Sequence, residues 1–197
     1  MRRIAIIQGH PDDNPARLCN ALSEAYAEGA RCAGHNVHVV RIATLDFPLL
    51  RSQAEWEAGA DGTPEALVDV QRVCTRADHF VIIYPLWLGT MPALLKGFLE
   101  QTFRPGIALS NEGGSGFPKP AFRGKSARVV VTMGMPAMAY RWVFRAHSLK
   151  SLERNILKFA GIKPVRETLF GLVDRAGDER VRSRWLAKMR DLGGRAA

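Results

Sequence analysis

The chain has 197 residues, 47% of them hydrophobic, and 28 Lys and Arg against 19 Asp and Glu give a net charge of +9. That length suits one domain over residues 1–197, and that apolar fraction can build a sizeable core, which excludes a disordered or fibrous chain. The basic residues are scattered, and their densest stretch, Arg175 to Arg195, is interleaved with Asp174, Asp178, Glu179 and Asp191, so it reads as a solvated helix face and argues against a nucleic-acid-binding protein.

Arg3 to Gln8 is a short, continuous apolar run ending at Gly9, as expected of a strand covered on both faces. A loop, His10 to Arg17, follows. Within it Asn14 is a candidate helix cap and Pro15 a candidate first helical residue. From Leu18 the positions Leu22, Ala25, Tyr26 and Gly29 fall on one face of a helix that Gly34 ends. Val37 to Ile42 reads as a second strand and Leu45 to Gly62 as irregular. Thr63 and Pro64 open a second helix reaching about Ala77. Phe80 to Tyr84 is a third strand, and Met91 to Phe103 a helix with Leu94, Leu95, Phe98, Leu99 and Phe103 inward. Arg104 to Lys125 is a Gly/Pro-rich insert, Arg128 to Met133 a fourth strand. A helix through Leu149, Leu152, Ile156, Leu157 and Ala160 ends at Gly161. Val165 to Val173 is a fifth strand and Glu179 to Leu192 a final helix.

Strand and helix alternate throughout, which predicts an α/β doubly wound parallel sheet with right-handed crossovers. Ligands of such sheets bind at the carboxyl ends of the strands, near the switch point. The apolar run Phe80 to Leu95 is shorter than the roughly 20 residues of a membrane helix and contains Pro85, Gly89 and Pro92. No integral membrane segment is therefore expected. The start, MRRIAIIQGH, lacks a signal-peptide pattern, and Cys19, Cys32 and Cys74 form no paired motif, so reduced thiols and a cytoplasmic protein are expected.

Common cofactor signatures are missing. GxGxxG does not follow the first strand. Gly124-Lys125-Ser126 ends like a P-loop, but the required glycine five positions earlier is Lys119, and a strand follows instead of a helix. HExxH, paired-Cys zinc spacing and GxSxG are lacking, and the histidines show no metal-ligand spacing, so no metal is expected.

Three loops leave the strands where a ligand should sit. The first, Gly9 to Arg17, either binds a phosphate at a helix start, helped by His10 and Arg17, or is simply a well-capped helix. In the second, Tyr84 to Gly97, Pro85, Leu86, Trp87 and Leu88 can line the edge of a flat ring, although composition alone favours a hydrophobic core loop. The third, Thr132 to Tyr140, combines Gly134 with Met133, Met135 and Met138. It is either an adaptable wall against a ring or a methionine core cluster, with Tyr140 and His147 as proton donors or surface residues.

The second loop, PLWLGTMPALLKGFLEQTF, resembles the most specific motif of the flavodoxin-like NAD(P)H:quinone oxidoreductases, a family that includes the potassium-efflux ancillary reductases. An opening strand followed by GHP and a later TMGMPAMAYRW are similar in kind, and the likeness spans nearly the whole chain in order. The resemblance implies a flavodoxin-like five-stranded sheet in the order 2-1-3-4-5, a bound flavin (FAD or FMN), NAD(P)H as cosubstrate, a quinone-like acceptor and a homodimer. It implies His10, Arg17 and Leu18 near the flavin phosphates. It further implies Pro85, Leu86, Trp87 and Leu88 along the isoalloxazine, and Thr132, Met133, Gly134 and Tyr140 on its other side. Tyr140 and His147 resemble the family's catalytic Tyr/His pair. The chain departs from the family in the first loop, where Pro15, Ala16 and Arg17 replace the usual Ser, aromatic and Asn. An alternative role, as a peripheral regulatory subunit of a membrane cation antiporter, shares these features. A one-electron flavodoxin carrier fits poorly, since such carriers are commonly acidic.

Overall fold

The computed structural model describes residues 1–110 and 119–197; part of the Gly/Pro-rich insert expected at Arg104 to Lys125 therefore lies outside the described residues. Its centre is a parallel sheet in the order β2-β1-β3-β6-β7, the expected 2-1-3-4-5 once two minor strands are numbered. The strands are β1 Arg3–Gln8, β2 Asn36–Arg41, β3 His79–Pro85, β6 Ser126–Thr132 and β7 Val165–Phe170. The minor pair, β4 Leu109–Ser110 and β5 Lys119–Pro120, is antiparallel and lies within the insert.

Apolar residues on both faces of each central strand explain the layering. Ile4, Ile6, Val81, Ile83 and Phe170 pack under α1 (Leu18–Cys32) and α7 (Glu179–Gly194), through Leu22, Tyr26, Met189 and Leu192. On the other face Ala5, Ile7, Phe80, Ile82, Val129 and Val131 meet Leu67 and Cys74 of α3 (Glu65–Arg76) and Leu95 and Phe98 of α4 (Ala93–Thr102). Leu149 of α6 (His147–Ser151) and the π-helical turns Leu152–Leu157 that prolong it complete this layer. Helices α1 and α7 cross so closely that a Cβ on Gly29 would stand 2.0 Å from the Arg190 carbonyl oxygen, and one on Gly193 2.1 Å from that of Tyr26.

Local chemistry shifts several expected boundaries. Helix α1 begins at Leu18 with Arg17 at its cap, not at Asn14, because the Asn14 side chain is already taken by the Ala16 amide at 2.9 Å. Pro64, not Thr63, precedes α3, and the Thr63 hydroxyl donates to Gln71 instead. The stretch expected to be irregular contains α2 (Gln53–Glu57), opened by Ser52, whose side chain accepts from the Glu55 amide. The helix expected through Leu149 to Ala160 is preceded by α5 (Ala137–Trp142), separated from α6 by Arg145 and Ala146 at φ 51 and 48. Strand β7 stops at Phe170, three residues short of Val173. Among the described residues no helix is long and apolar enough to cross a membrane.

Candidate functional site

The carboxyl ends of β1, β3 and β6 lie side by side, and their register brings the three loops together. Pro85 pairs with Thr132 and Gln8 with Ile83. One bond beyond the ladder ties the second loop to the end of β6, as the Leu86 amide donates to the Thr132 carbonyl at 2.8 Å.

The first loop is held by its own polar residues. The Asp12 amide donates to His10 Nδ1 at 2.9 Å, which puts the neutral ring's proton on Nε2. Burial, and then the Arg17 charge, hold the His10 pKa below its usual value, so the ring is neutral at physiological pH. Asp12 also accepts from the Asn14 amide and pairs with Arg17 Nε at 2.6 Å. Asn20, in the first turn of α1, donates from its side-chain nitrogen to the Asp12 and Asn14 carbonyls at 3.1 and 2.8 Å. The first-turn amides of α1, beginning with Leu18, have no acceptors within the helix and form an anion cradle at the loop's edge. Arg17 stands there, but its charge is shared with Asp12.

The second loop is a tight hairpin. The amides and carbonyls of Trp87 and Thr90 bond reciprocally at 2.9 and 3.0 Å, with Leu88 at φ 46 and Gly89 at φ 79 between them. Two positive φ values define a type I′ turn, for which glycine and asparagine are suited and leucine is not. The Leu88 side chain is fully exposed at 105%. Trp87, half-exposed, meets the His10 ring edge-on at 5.6 Å between centroids, which joins the first and second loops.

In the third loop Gly134 is exposed, and a Cβ built on it would meet nothing within 4 Å. Met133 is buried against the core, whereas Met138 is exposed. Tyr140 follows in α5. It is 2% exposed, its hydroxyl bonds Ser148 Oγ at 2.7 Å and accepts from the Leu149 amide at 3.2 Å. The phenol thus anchors the start of α6, whose first residue, His147, is exposed. Trp142, Val143 and Phe144 form an exposed apolar strip beside it.

Sequence reasoning missed the floor of the site. Cys19, in the first turn of α1, lies 3.2 Å from Thr132 Oγ1, and burial pushes its thiol up to about 12, so it is a neutral hydrogen-bonding partner and not a nucleophile. Gln8 and Asn20 are buried polar residues at the same edge; a Gln closing an otherwise apolar strand was the available signal. Among the described residues no cluster of His, Cys, Asp or Glu is arranged to hold a metal.

These features fit a phosphorylated, flat-ringed cofactor. Open helix amides suit a phosphate, and the exposed Trp87 hairpin and the bare backbone at Gly134 leave room for a ring between them.

The family described by the flavodoxin-like fold matches residues 2–192. An uncharacterised NAD(P)H oxidoreductase of Haemophilus influenzae is 26% identical over 168 residues, 84% of this chain and 82% of that one. The NAD(P)H:quinone oxidoreductase of Methanothermobacter marburgensis superposes with a TM-score of 0.79 at 25% identity, over 98% of this chain and 96% of that one. An FMN-dependent NADH-azoreductase of Bacillus anthracis, solved in complex with FMN, superposes with a TM-score of 0.78 over all of both chains; at 16% identity that likeness is one of fold.

Proposed function

The chain belongs to the family of the flavodoxin-like fold, and from that premise we propose that it is a flavin-dependent oxidoreductase passing electron pairs from NAD(P)H to a quinone or similar small acceptor. The observation that carries this reading is the meeting of three loops at one sheet edge, through the Leu86 to Thr132 bond and the edge-on contact of His10 and Trp87. Relatives named for NAD(P)H oxidoreduction and a fold neighbour holding FMN support it.

In this reading the flavin, FAD or FMN, has its phosphate on the start of α1, at Leu18, with His10 and Arg17 beside it. Pro85, Leu86, Trp87 and Leu88 border the ring on one side, and Thr132, Met133 and Gly134 on the other. Bound there, a flavin supplies hydride transfer between NAD(P)H and a two-electron acceptor, each substrate using the pocket in turn. The chain's own share is to orient and to stabilise charge. Backbone amides of the second and third loops serve as donors where negative charge develops. His147 serves as a further donor from the start of α6, and Tyr140 holds that start in place. The exposed strip Met138, Trp142, Val143 and Phe144 supports a two-fold homodimer with the site near the interface. The cytoplasm, where thiols stay reduced, suits Cys19, Cys32 and Cys74.

An absorbance spectrum of the purified protein, with the mass of the released cofactor, tests the central claim. FAD or FMN at about one copy per chain is the expected result. NAD(P)H under anaerobic conditions should bleach the visible band, and a quinone should restore it. Failure of the chain to bind either flavin at tens of micromolar would sink the reading.

A further inference from the structure

The basic residues are scattered along the sequence, but the fold gathers several of them at one place. In a parallel sheet every strand enters from the same edge. Here that edge lies opposite the three loops, about 20 Å away along the strands. Arg2 precedes β1, Arg76 ends α3 just ahead of β3, Arg123 stands ahead of β6, and Lys163 and Arg166 flank the start of β7. All five are exposed, and among the described residues none of them forms an ion pair. Backbone bonds tie the strand entrances into one rim. The Asn36 amide donates to the Arg2 carbonyl at 2.9 Å, Asp78 to Arg3 at 2.8 Å, Ser126 to Asp78 at 3.1 Å and Lys163 to Lys125 at 2.8 Å. Five strands spaced about 4.8 Å apart make that rim about 20 Å wide.

The acids placed here are already taken. Asp78 pairs with Arg3 at 2.7 Å, and Asp191, near the end of α7, pairs with Arg195. The carboxyl ends of α1, α3 and α7 reach the same rim. Each carries about half a negative charge, which offsets only part of the five positive ones. The excess is felt inside the fold. Burial, and then the Arg2, Arg128 and Arg166 charges, lower the pKa of His79, the first residue of β3, to about 4.

We propose that this rim, at the amino ends of the strands, is an electrostatic docking surface for an anionic lipid leaflet. Four of its five free cations are arginines, whose planar guanidinium groups match phosphate oxygens two at a time. The strand entrances end in one plane, which suits a flat array of headgroups. A nucleic-acid duplex is instead read by a helix or ribbon laid in a groove. Docked this way, the protein holds its three loops on the far side of the sheet from the bilayer, open to solutes in water. The proposal does not depend on which cofactor those loops hold.

Co-flotation of the full chain with vesicles tests the idea. At low salt it should bind vesicles of equal parts phosphatidylcholine and phosphatidylglycerol and leave pure phosphatidylcholine alone. Binding should vanish near 1 M salt, where screening reaches only about 3 Å. A basic residue at an anionic leaflet strengthens partition by about fivefold, so Arg76→Glu with Arg166→Glu should weaken it at least about twentyfold. Arg123→Glu with Lys163→Glu repeats the test on separate residues. Arg180→Glu with Arg184→Glu changes the net charge equally, but Arg180 is in the first turn of α7, about 20 Å from the rim, so this pair should weaken binding less than about threefold. A polarity-sensitive dye on the exposed Cys32, the last residue of α1, lies at the rim and should shift its emission when vesicles bind. The proposal is overturned by a chain that ignores anionic vesicles at low salt or binds neutral ones equally well. Equal loss in the rim and control pairs, or binding with no shift of the dye, would also refute it. Tight binding of a DNA duplex without vesicle binding would give the rim to nucleic acid instead.

Discussion

Replacing Leu88 by Asn should make the protein more stable and the site worse. At φ 46 a leucine in the left-handed region is strained by about 1–2 kcal/mol, because its Cβ crowds the following carbonyl. Asparagine tolerates this conformation, and Asn-Gly is the favoured pair for a type I′ turn, so Leu88→Asn before Gly89 should recover about 1 kcal/mol. No packing is lost, since the side chain is fully exposed. For a chain of this size 1 kcal/mol corresponds to about 2–4 °C in Tm. Calorimetry on flavin-free protein reads the change directly, and Gly89→Ala, at φ 79, is the control of opposite sign. An exposed apolar side chain kept at a strained position points to a ligand that covers it. Flavin affinity of Leu88→Asn should therefore fall several-fold while Tm rises. A Tm that stays level or drops refutes the strain argument; a rise with unchanged flavin affinity refutes the role of Leu88 at the ring.

Tyr140→Phe should leave the Leu149 amide without its acceptor and lower stability by about 1–3 kcal/mol by thermal unfolding. Stopped-flow flavin reduction by NAD(P)H should then slow only a few-fold, and a loss near hundredfold would show instead that the hydroxyl reaches the ring. His79 should govern part of the acid sensitivity. Burial, and then the Arg2, Arg128 and Arg166 charges, lower its pKa to about 4, while the unfolded chain keeps an ordinary value near 6.5. Its contribution is present above pH 6.5 and is lost as pH falls toward 4, by at most about 3 kcal/mol. Denaturation midpoints across this window should flatten in His79→Gln, and an unchanged slope would remove His79 from the account. Light scattering should find a dimer, and Trp142→Asp with Phe144→Asp should shift it to monomer; a fully active wild-type monomer would contradict the pairing surface.

The order of elements was legible because the central strands are apolar on both faces. Runs such as Ile4 to Ile7 and Phe80 to Ile83 admit few other readings. Topology placed the second loop at the ligand-bearing strand ends, and the PLWLGTMP segment marked it as a ring site through its resemblance. What stayed hidden depends on tertiary partners. Asn14 has the side chain of a cap, yet a nearer amide claims it, so α1 starts later. Tyr140 and His147 are close in sequence, but a left-handed step at Arg145 and Ala146 turns the chain between them, and the phenol is buried against Ser148 and Leu149 while His147 is exposed. Nothing in local patterning announces a backbone of that kind at non-glycine residues. The pairing of Cys19 with Thr132 joins residues far apart in the chain and has no local trace.

The distribution of thiols along the fold makes this chain a ready-made optical gauge. Burial pushes the Cys19 and Cys74 thiols up to about 12, which leaves them unreactive toward maleimides at neutral pH. Cys32 is exposed at the last residue of α1. The helix begins at the proposed phosphate cradle, and its 15 residues put Cys32 about 20 Å away. A dye attached there without any mutation lies within energy-transfer range of a yellow chromophore at the sheet edge. Its emission would report cofactor arrival and departure in real time, on the native sequence.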